Sequence, residues 1–383
     1  MKIIKKINKA IFTPEFSLRN VFLSLALGFL VAWVTLCAMY GFTGANYILI
    51  NIFSNSFTDT KSTARLFDKI VILGFAGLAV LVGNKAGLLN IGVSGQMMFG
   101  AFAAYFVVRT VNADSIYLSL LIGLIVTAIV GSVIALISGI LKVFFKVNEV
   151  ISTIMMNWII VYLIRFLASN KKMSWYNSSL TNKIELSYFA GKTQSNLQLL
   201  DTTPEITWIF AGIGIFLFTL SILIMWVLYS KTQFGFKVRA TGLSSSVSEY
   251  AGYNSKKYKL ISMGISGIFA GMAGFTMYFL SRSSITATVL PIGEGFAGIA
   301  IALVALNNPI GVVASAALFG LISGPTSGVV MGTYPSQMVQ IFTGIITYFV
   351  AATTLWLYLR PINLYRNLKK RRSDNAQLNK GVA

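Results

Sequence analysis

The chain has 383 residues, of which 56% are hydrophobic and only 11% charged, yet its net charge is +20. A soluble domain carries about 25% charged residues, so this chain lacks the polar surface to cover itself in water. One Cys and no His argue against zinc, haem or iron–sulfur chemistry, a disulfide framework and imidazole acid–base catalysis.

From the N-terminus, Lys2, Lys5, Lys6 and Lys9 precede an apolar run too long for a typical signal peptide and without a convincing small-residue cleavage site. It reads as a retained first span. Nine further apolar stretches follow, and with the first they predict segments at 21–42, 64–83, 90–108, 116–141, 149–167, 206–229, 259–280, 292–306, 309–330 and 337–359. Runs near the ~20-residue length that crosses a hydrocarbon core, in this number, define an all-α polytopic membrane protein with about ten transmembrane or re-entrant helices. With the N-terminus inside, about two thirds of the 31 basic residues fall in inside connections, including Arg366, Lys369, Lys370, Arg371 and Arg372 of the tail. The positive-inside rule then places both termini in the cytoplasm. The same distribution argues against nucleic-acid binding, because the basic residues flank spans rather than forming one patch. The expected organisation is a cytoplasmic segment 1–20, a single transmembrane domain 21–360 and a basic cytoplasmic tail 361–383.

Two connections stand out. Residues 168–205 form a polar outside loop with Trp175, Tyr176, Tyr188 and Phe189 interspersed. It reads either as an ordered cap or as a docking surface. Residues 230–259 lie inside. There Gly242 precedes Ser244–Ser246, whose hydroxyls can cap free backbone N–H groups. A short helix is predicted around Ser245–Ala251, stopped at Gly252.

The chain has no energy-converting site of its own. Gly191-Lys192-Thr193 ends a phosphate-loop pattern, but Leu186 stands where its first Gly belongs. Ionisable candidates for ion coupling within spans are few: Glu149, Arg165 and Glu294. Gly264, Gly267, Gly271 and Gly274 leave one helix face nearly bare for close packing. The run around Asn90, Ser94 and Gln96, rich in Gly and amides, reads as broken helix at membrane depth. Such backbone is tolerated where it is buried in protein or lines a watery cavity. Structural and cargo-path roles both remain open for it. Asn157, Trp158 and Gln337 are further candidates to line such a cavity.

Three blocks carry a family resemblance. Arg239-Ala240-Thr241-Gly242 with Glu249-Tyr250-Ala251-Gly252, and then Ser266-Gly267 to Gly274, resemble the coupling region of ABC importer permeases of the branched-chain amino acid, ribose and nucleoside type. Gly87-Leu88-Leu89-Asn90-Ile91-Gly92-Val93-Ser94-Gly95-Gln96 resembles a second family segment, with Ser94 where many relatives have Glu. Gly295-Phe296-Ala297-Gly298-Ile299-Ala300 with Asn307-Asn308-Pro309 resembles the nucleoside and simple-sugar subgroup. The resemblance implies a multi-pass permease of the bacterial plasma membrane that imports nucleosides and is not itself an enzyme. It implies a second permease subunit, an extracellular substrate-binding lipoprotein, and separate ATP-binding subunits that hold ATP and magnesium. Gly242, Ser245, Ser248, Glu249, Tyr250, Ala251 and Gly252 are the expected ATPase-coupling residues. Asn90, Ser94, Gln96, Asn157, Trp158, Glu294 and Gln337 are the substrate-path candidates; no metal site is expected. A simple-sugar permease and a gradient-driven transporter are the alternatives.

Overall fold

The computed structural model describes residues 18–111, 116–169, 183–185, 204–281, 284–286, 290–323 and 337–351. Each of the ten apolar stretches forms a helix there. In chain order the helices are α1 (Leu18–Ser54), α2 (Thr60–Lys85), α3 (Val93–Val111), α4 (Ile116–Phe145), α5 (Glu149–Ser169), α6 (Pro204–Lys231), α7 (Gln233–Leu243), α8 (Ser245–Tyr250), α9 (Ser255–Phe275), α10 (Gly293–Val304), α11 (Pro309–Ile322) and α12 (Gln337–Ala351). Among the described residues, α1, α2, α4, α5, α6 and α9 are long and apolar enough to cross a membrane. Two three-residue strands, β1 (Lys183–Glu185) and β2 (Ser284–Thr286), pair antiparallel with Ile184 opposite Ile285. β1 belongs to the connection 168–205, which is expected on the outside; residues 170–182 and 186–203 of it, with segments 1–17 and 352–383, lie outside the described residues.

The chain divides into two compact units. One takes residues 1–45 and 340–383. Within it Phe29 meets Phe342 edge-on at 5.1 Å, and Gly28 leaves room for Phe349, whose Cβ would stand 3.0 Å from an added methyl. α1 is interrupted at Gly41, whose φ of 72° and ψ of 170° no helical residue adopts.

The second unit, residues 46–339, is built round α2, which is buried without a break from Val71 to Gly83. A helix buried on every side needs notches for its neighbours, and glycines supply them. Gly74 receives the Phe218 ring of α6, and Gly77 receives Ile301 of α10 and Val312 of α11. α9 lies against α4 almost backbone to backbone: a Cβ at Gly267 would strike the Gly131 carbonyl, and one at Gly271 the Thr127 carbonyl. Gly274 meets Met97 of α3 in the same way. Where lipid removes the hydrophobic drive between helices, this close approach is what holds them together. The outer faces are apolar: Leu121, Ile125, Ile129, Val133 and Ile137 form an exposed stripe at four-residue spacing along α4, the surface a lipid solvent calls for.

Two departures from regular helix position everything that follows. After α2 the chain does not cross again at once: Gly87 (φ 73°) turns it back, and Asn90 returns to lie against Gly83 of α2 before α3 starts at Val93. And α10 and α11, of 12 and 14 residues, reach only about 18 and 21 Å at 1.5 Å per residue, against the ~30 Å of a hydrocarbon core. Leu306 and Asn307 (φ 55° and 53°) make the left-handed turn between them. Asn308 caps α11 by accepting from the Ile310 N–H at 3.1 Å, and Pro309 occupies its first turn.

Candidate functional site

The first candidate site is the polar knot at the start of α3. A helix that begins inside the unit exposes N–H groups that must find partners where water is scarce. Asn90 accepts from the Gly92 N–H at 3.0 Å and from Gln96 Nε2 at 3.1 Å, while its own Nδ2 donates to Gln96 Oε1 at 3.0 Å and to Ser266 Oγ at 2.8 Å. Ser266, on α9, in turn donates its hydroxyl hydrogen bond to the Ala79 carbonyl of α2 at 2.5 Å. From the other side Asn157 of α5 accepts from the Gly95 N–H at 2.9 Å and donates to the Ile91 carbonyl at 3.0 Å. Ser94 Oγ donates to the Ile292 carbonyl, at the start of α10. Gly92 and Gly95 are glycines because the amide groups of Gln96 and Asn157 sit where a Cβ would go, 2.9 Å away.

Four of the seven path candidates therefore meet: Asn90, Ser94, Gln96 and Asn157, each at most 1% exposed. The other three stand apart. Trp158 is half-buried on the next face of α5, its ring stacked 6.3 Å from that of exposed Tyr162. Glu294, in the first turn of α10, forms an ion pair with Lys69 of α2 at 2.9 Å. Gln337 opens α12, and its side chain lies outside the described residues. Lys69 and its buried neighbour Asp68 were missed in the search for ionisable residues, although both fall inside the predicted 64–83 segment. Ser266 was missed for another reason: a Ser among small residues gives no sign of its partner.

The second candidate site is the 230–259 connection. It holds two helices where one is predicted. α7 carries two glycines, Gly235 and Gly242, in eleven residues, a composition that gives no helix signal by itself. Both are there for close approach: a Cβ at Gly235 would enter the backbone of Leu228 and Tyr229, and one at Gly242 the Lys85 carbonyl. Thr232 caps α7 by accepting from the Gly235 N–H, and Arg239 donates to the Tyr229 carbonyl. α8 follows as expected. Ser244 caps it from the Val247 N–H, Gly252 (φ 79°) ends it, and Asn254 caps α9 by accepting from the Lys257 N–H at 3.0 Å.

The side chains of α8 tie it to the start of α9. Lys259 Nζ donates to Ser245 Oγ at 2.6 Å, and Ser255 Oγ donates to Glu249 at 2.7 Å. Ser248 is buried beneath, with its hydroxyl on the Ser245 carbonyl. The opposite face is open: Val247 and Tyr250 are 66% and 93% exposed, as is Leu243 at the end of α7 at 65%, and Ala251 and Gly252 are exposed beside them. Among the described residues no group of three or more Cys, Asp or Glu side chains comes together that could hold a metal ion.

Among the described residues, six helices long and apolar enough to cross a membrane, with shorter apolar ones packed round the central buried α2, define a multi-pass membrane protein. Over residues 62–351 the chain matches the family described as the branched-chain amino acid transport system / permease component, and it belongs to that family. It is 30% identical over 360 residues to the uncharacterized protein MG120 of Mycoplasma genitalium, covering 88% of this chain but 65% of that one, so it spans just under two thirds of that relative. It is 34% identical over 285 residues to the guanosine ABC transporter permease protein NupP of Bacillus subtilis, covering 73% and 77% of the two chains. With the nucleoside ABC transporter permease protein NupB of Lactococcus lactis the identity is 26% over 334 residues, covering 86% and 89%. A second permease protein from each of those two bacteria, NupQ and NupC, also matches. No solved structure matches the chain.

Proposed function

We propose that this chain is the membrane-spanning permease subunit of an ATP-driven importer and that its cargo is a nucleoside. α8 carries the mechanical half of the reading. It is a short helix, capped at both ends, fastened by Lys259 and Ser255 to the head of a long membrane helix, with Val247 and Tyr250 turned outward. Large apolar groups on the same element as exposed Ser and Glu suit a protein groove better than lipid. In this reading α7 and α8 and both termini are cytosolic, and 21–360 acts as one transport domain. Separate ATPase subunits, which hold the ATP and magnesium, grip Gly242–Gly252. The names of NupP and NupB support nucleoside cargo. Two distinct permease proteins in each of those bacteria support pairing with a second, different permease, and an extracellular lipoprotein would deliver the cargo to the outside loop.

The knot shapes the cargo path in this proposal. The amides of Asn90 and Gln96 satisfy each other and Asn157 satisfies the Gly95 and Ile91 backbone, so together they hold the broken start of α3 in place beside the path. Glu294, Trp158 and Gln337 remain candidates for direct contact. The test is uptake of tritiated guanosine and labelled glucose by cells with and without this gene. Loss of guanosine uptake alone is expected. Loss of glucose uptake alone would replace the nucleoside reading by the sugar one, and unchanged uptake of both on ATP depletion would sink the ATP-driven reading.

A further inference from the structure

The last turn of α2 touches three separate parts of the molecule. Gly242, at the α7–α8 junction, packs on it so closely that a Cβ there would strike the Lys85 carbonyl and lie 3.0 Å from the Gly87 N–H. In return, a Cβ at Gly87 would lie 2.9 Å from the Gly242 carbonyl. One residue before Lys85, Asn84 Nδ2 donates to Asn307 Oδ1 at 3.1 Å, in the left-handed turn that joins α10 to α11. Three residues after Gly87 stands Asn90, the centre of the polar knot, reached through a backbone held tight by the Leu88 N–H donating to the Gly83 carbonyl at 2.9 Å.

We infer that Asn84–Gly87 is the transmission joint of the permease: it receives displacement of the α7–α8 connection at Gly242 and delivers it to the α10–α11 hairpin through Asn84–Asn307 and to the start of α3 through Leu88–Asn90. The inference rests on the importer function proposed above. Its physical basis is stiffness. Backbone in contact with backbone at Gly242 has no side chain to deform, so a shift of α7 cannot be absorbed there. Both outputs are irregular backbone, the part of a membrane bundle that can change without unwinding a whole span. The amide bridge is the weaker output, a single half-buried hydrogen bond, and therefore the one to break. These are positioning residues; they have no need to touch cargo.

Asn307→Gly keeps the left-handed turn, which glycine adopts freely, and deletes the amide alone; Asn84→Ala deletes the other half of the bond. Gly242→Ala places a methyl in the joint itself. Each is made in the complete importer with its ATPase and second permease in proteoliposomes, in a Cys37→Ser, Ile310→Cys background, Ile310 being exposed at the hairpin. ATP hydrolysis, tritiated guanosine uptake and the ATP-dependent labelling rate of the cysteine at 310 are measured together. The parent is expected to change its labelling rate on ATP addition. In Asn307→Gly and Asn84→Ala, hydrolysis should persist while the labelling response is lost and uptake per ATP falls about threefold or more, the scale of one lost hydrogen bond. Asn307→Asp, whose carboxylate accepts the same bond, should restore both. Variants that keep the full labelling response and uptake per ATP would overturn the joint. So would loss of ATPase binding in step with loss of uptake, since that marks a docking surface. If the parent responds to ATP at position 310 but moves no guanosine, the cargo assignment fails, and the labelling response of the variants alone judges the joint.

Discussion

Asn157→Ala separates a structural knot from a cargo contact. The Asn157 side chain is 1% exposed, and its amide bridges the Gly95 N–H and the Ile91 carbonyl at 2.9 and 3.0 Å. Alanine leaves the buried Gly95 N–H and the half-buried Ile91 carbonyl without this partner, at up to about 1–3 kcal/mol each. The gain in helix propensity on replacing Asn by Ala offsets only about 0.5 kcal/mol of this. The net loss of about 2–5 kcal/mol is a large part of the stability of an ordinary domain and should show directly. In detergent, the purified variant should melt several degrees below wild type, and less folded protein should reach the membrane. Guanosine uptake per folded molecule should fall too, because the start of α3 is no longer held. Trp158→Ala, one residue along but half-buried, leaves no buried polar group unpartnered; it should lose the Tyr162 stacking, about 0.5–1.5 kcal/mol, and the apolar contact of the buried part of its ring. An Asn157→Ala protein that melts like wild type but requires far more guanosine for half-maximal uptake would refute the reasoning. Its amide would then belong to the cargo.

Ala251→Arg should insert normally and lose co-purification of the ATPase, since Ala251 is exposed at the end of α8; full retention of the ATPase and of uptake would place the motor elsewhere. Cysteines at Ser178 and at exposed Ser246, in a Cys37→Ser background, should differ in reaction with an impermeant thiol reagent added outside, with Ser178→Cys labelled and Ser246→Cys protected; the reverse would invert the orientation. Gly271→Leu should abolish accumulation of folded protein in a blot of the membrane fraction, because the Thr127 carbonyl and the Ala128 backbone occupy the space. Gly212→Ala, with nothing within 4 Å, should be neutral or stabilising by up to about 1 kcal/mol in the same melting assay.

What could be read without coordinates was whatever depends on near neighbours in the chain. Asn308-Pro309 is an example, since a capping side chain followed by a residue with no N–H to satisfy announces a helix start. Ser244 and Gly252 announce α8 in the same way. The Gly264–Gly274 spacing showed that a bare helix face exists, though not that α4 and Gly131 would fill it. The break at Asn90 was legible from its glycines and amides, but Ser266, which bonds Asn90, is 176 positions away and Asn157, which bonds Gly95 and Ile91, is 62 and 66 positions from them, and no local pattern links them. α7 went unread because a glycine that breaks a helix and a glycine that lets another backbone approach look identical in a sequence. Lys69 shows a plainer failure: a charge within a buried helix was present in the text and was outweighed by the apolar residues around it.

The short α10–α11 hairpin also bears on how this protein is made. Neither helix can be handed to the bilayer as a span by itself, because each is about a third too short. Asn307 and Asn308 at the tip must travel with them. The pair packs chiefly against α2, where Gly77 admits Ile301 and Val312 and where a Cβ at Gly298 would strike the Ala76 backbone, while Gly295 of α10 lies against the Ser94 backbone of α3. The last third of the chain therefore has to wait for the first: during synthesis the hairpin finds its place only after the central helix is already lodged in the membrane, and a ribosome that stalls at Val304 leaves behind a half-built helix with no stable depth of its own.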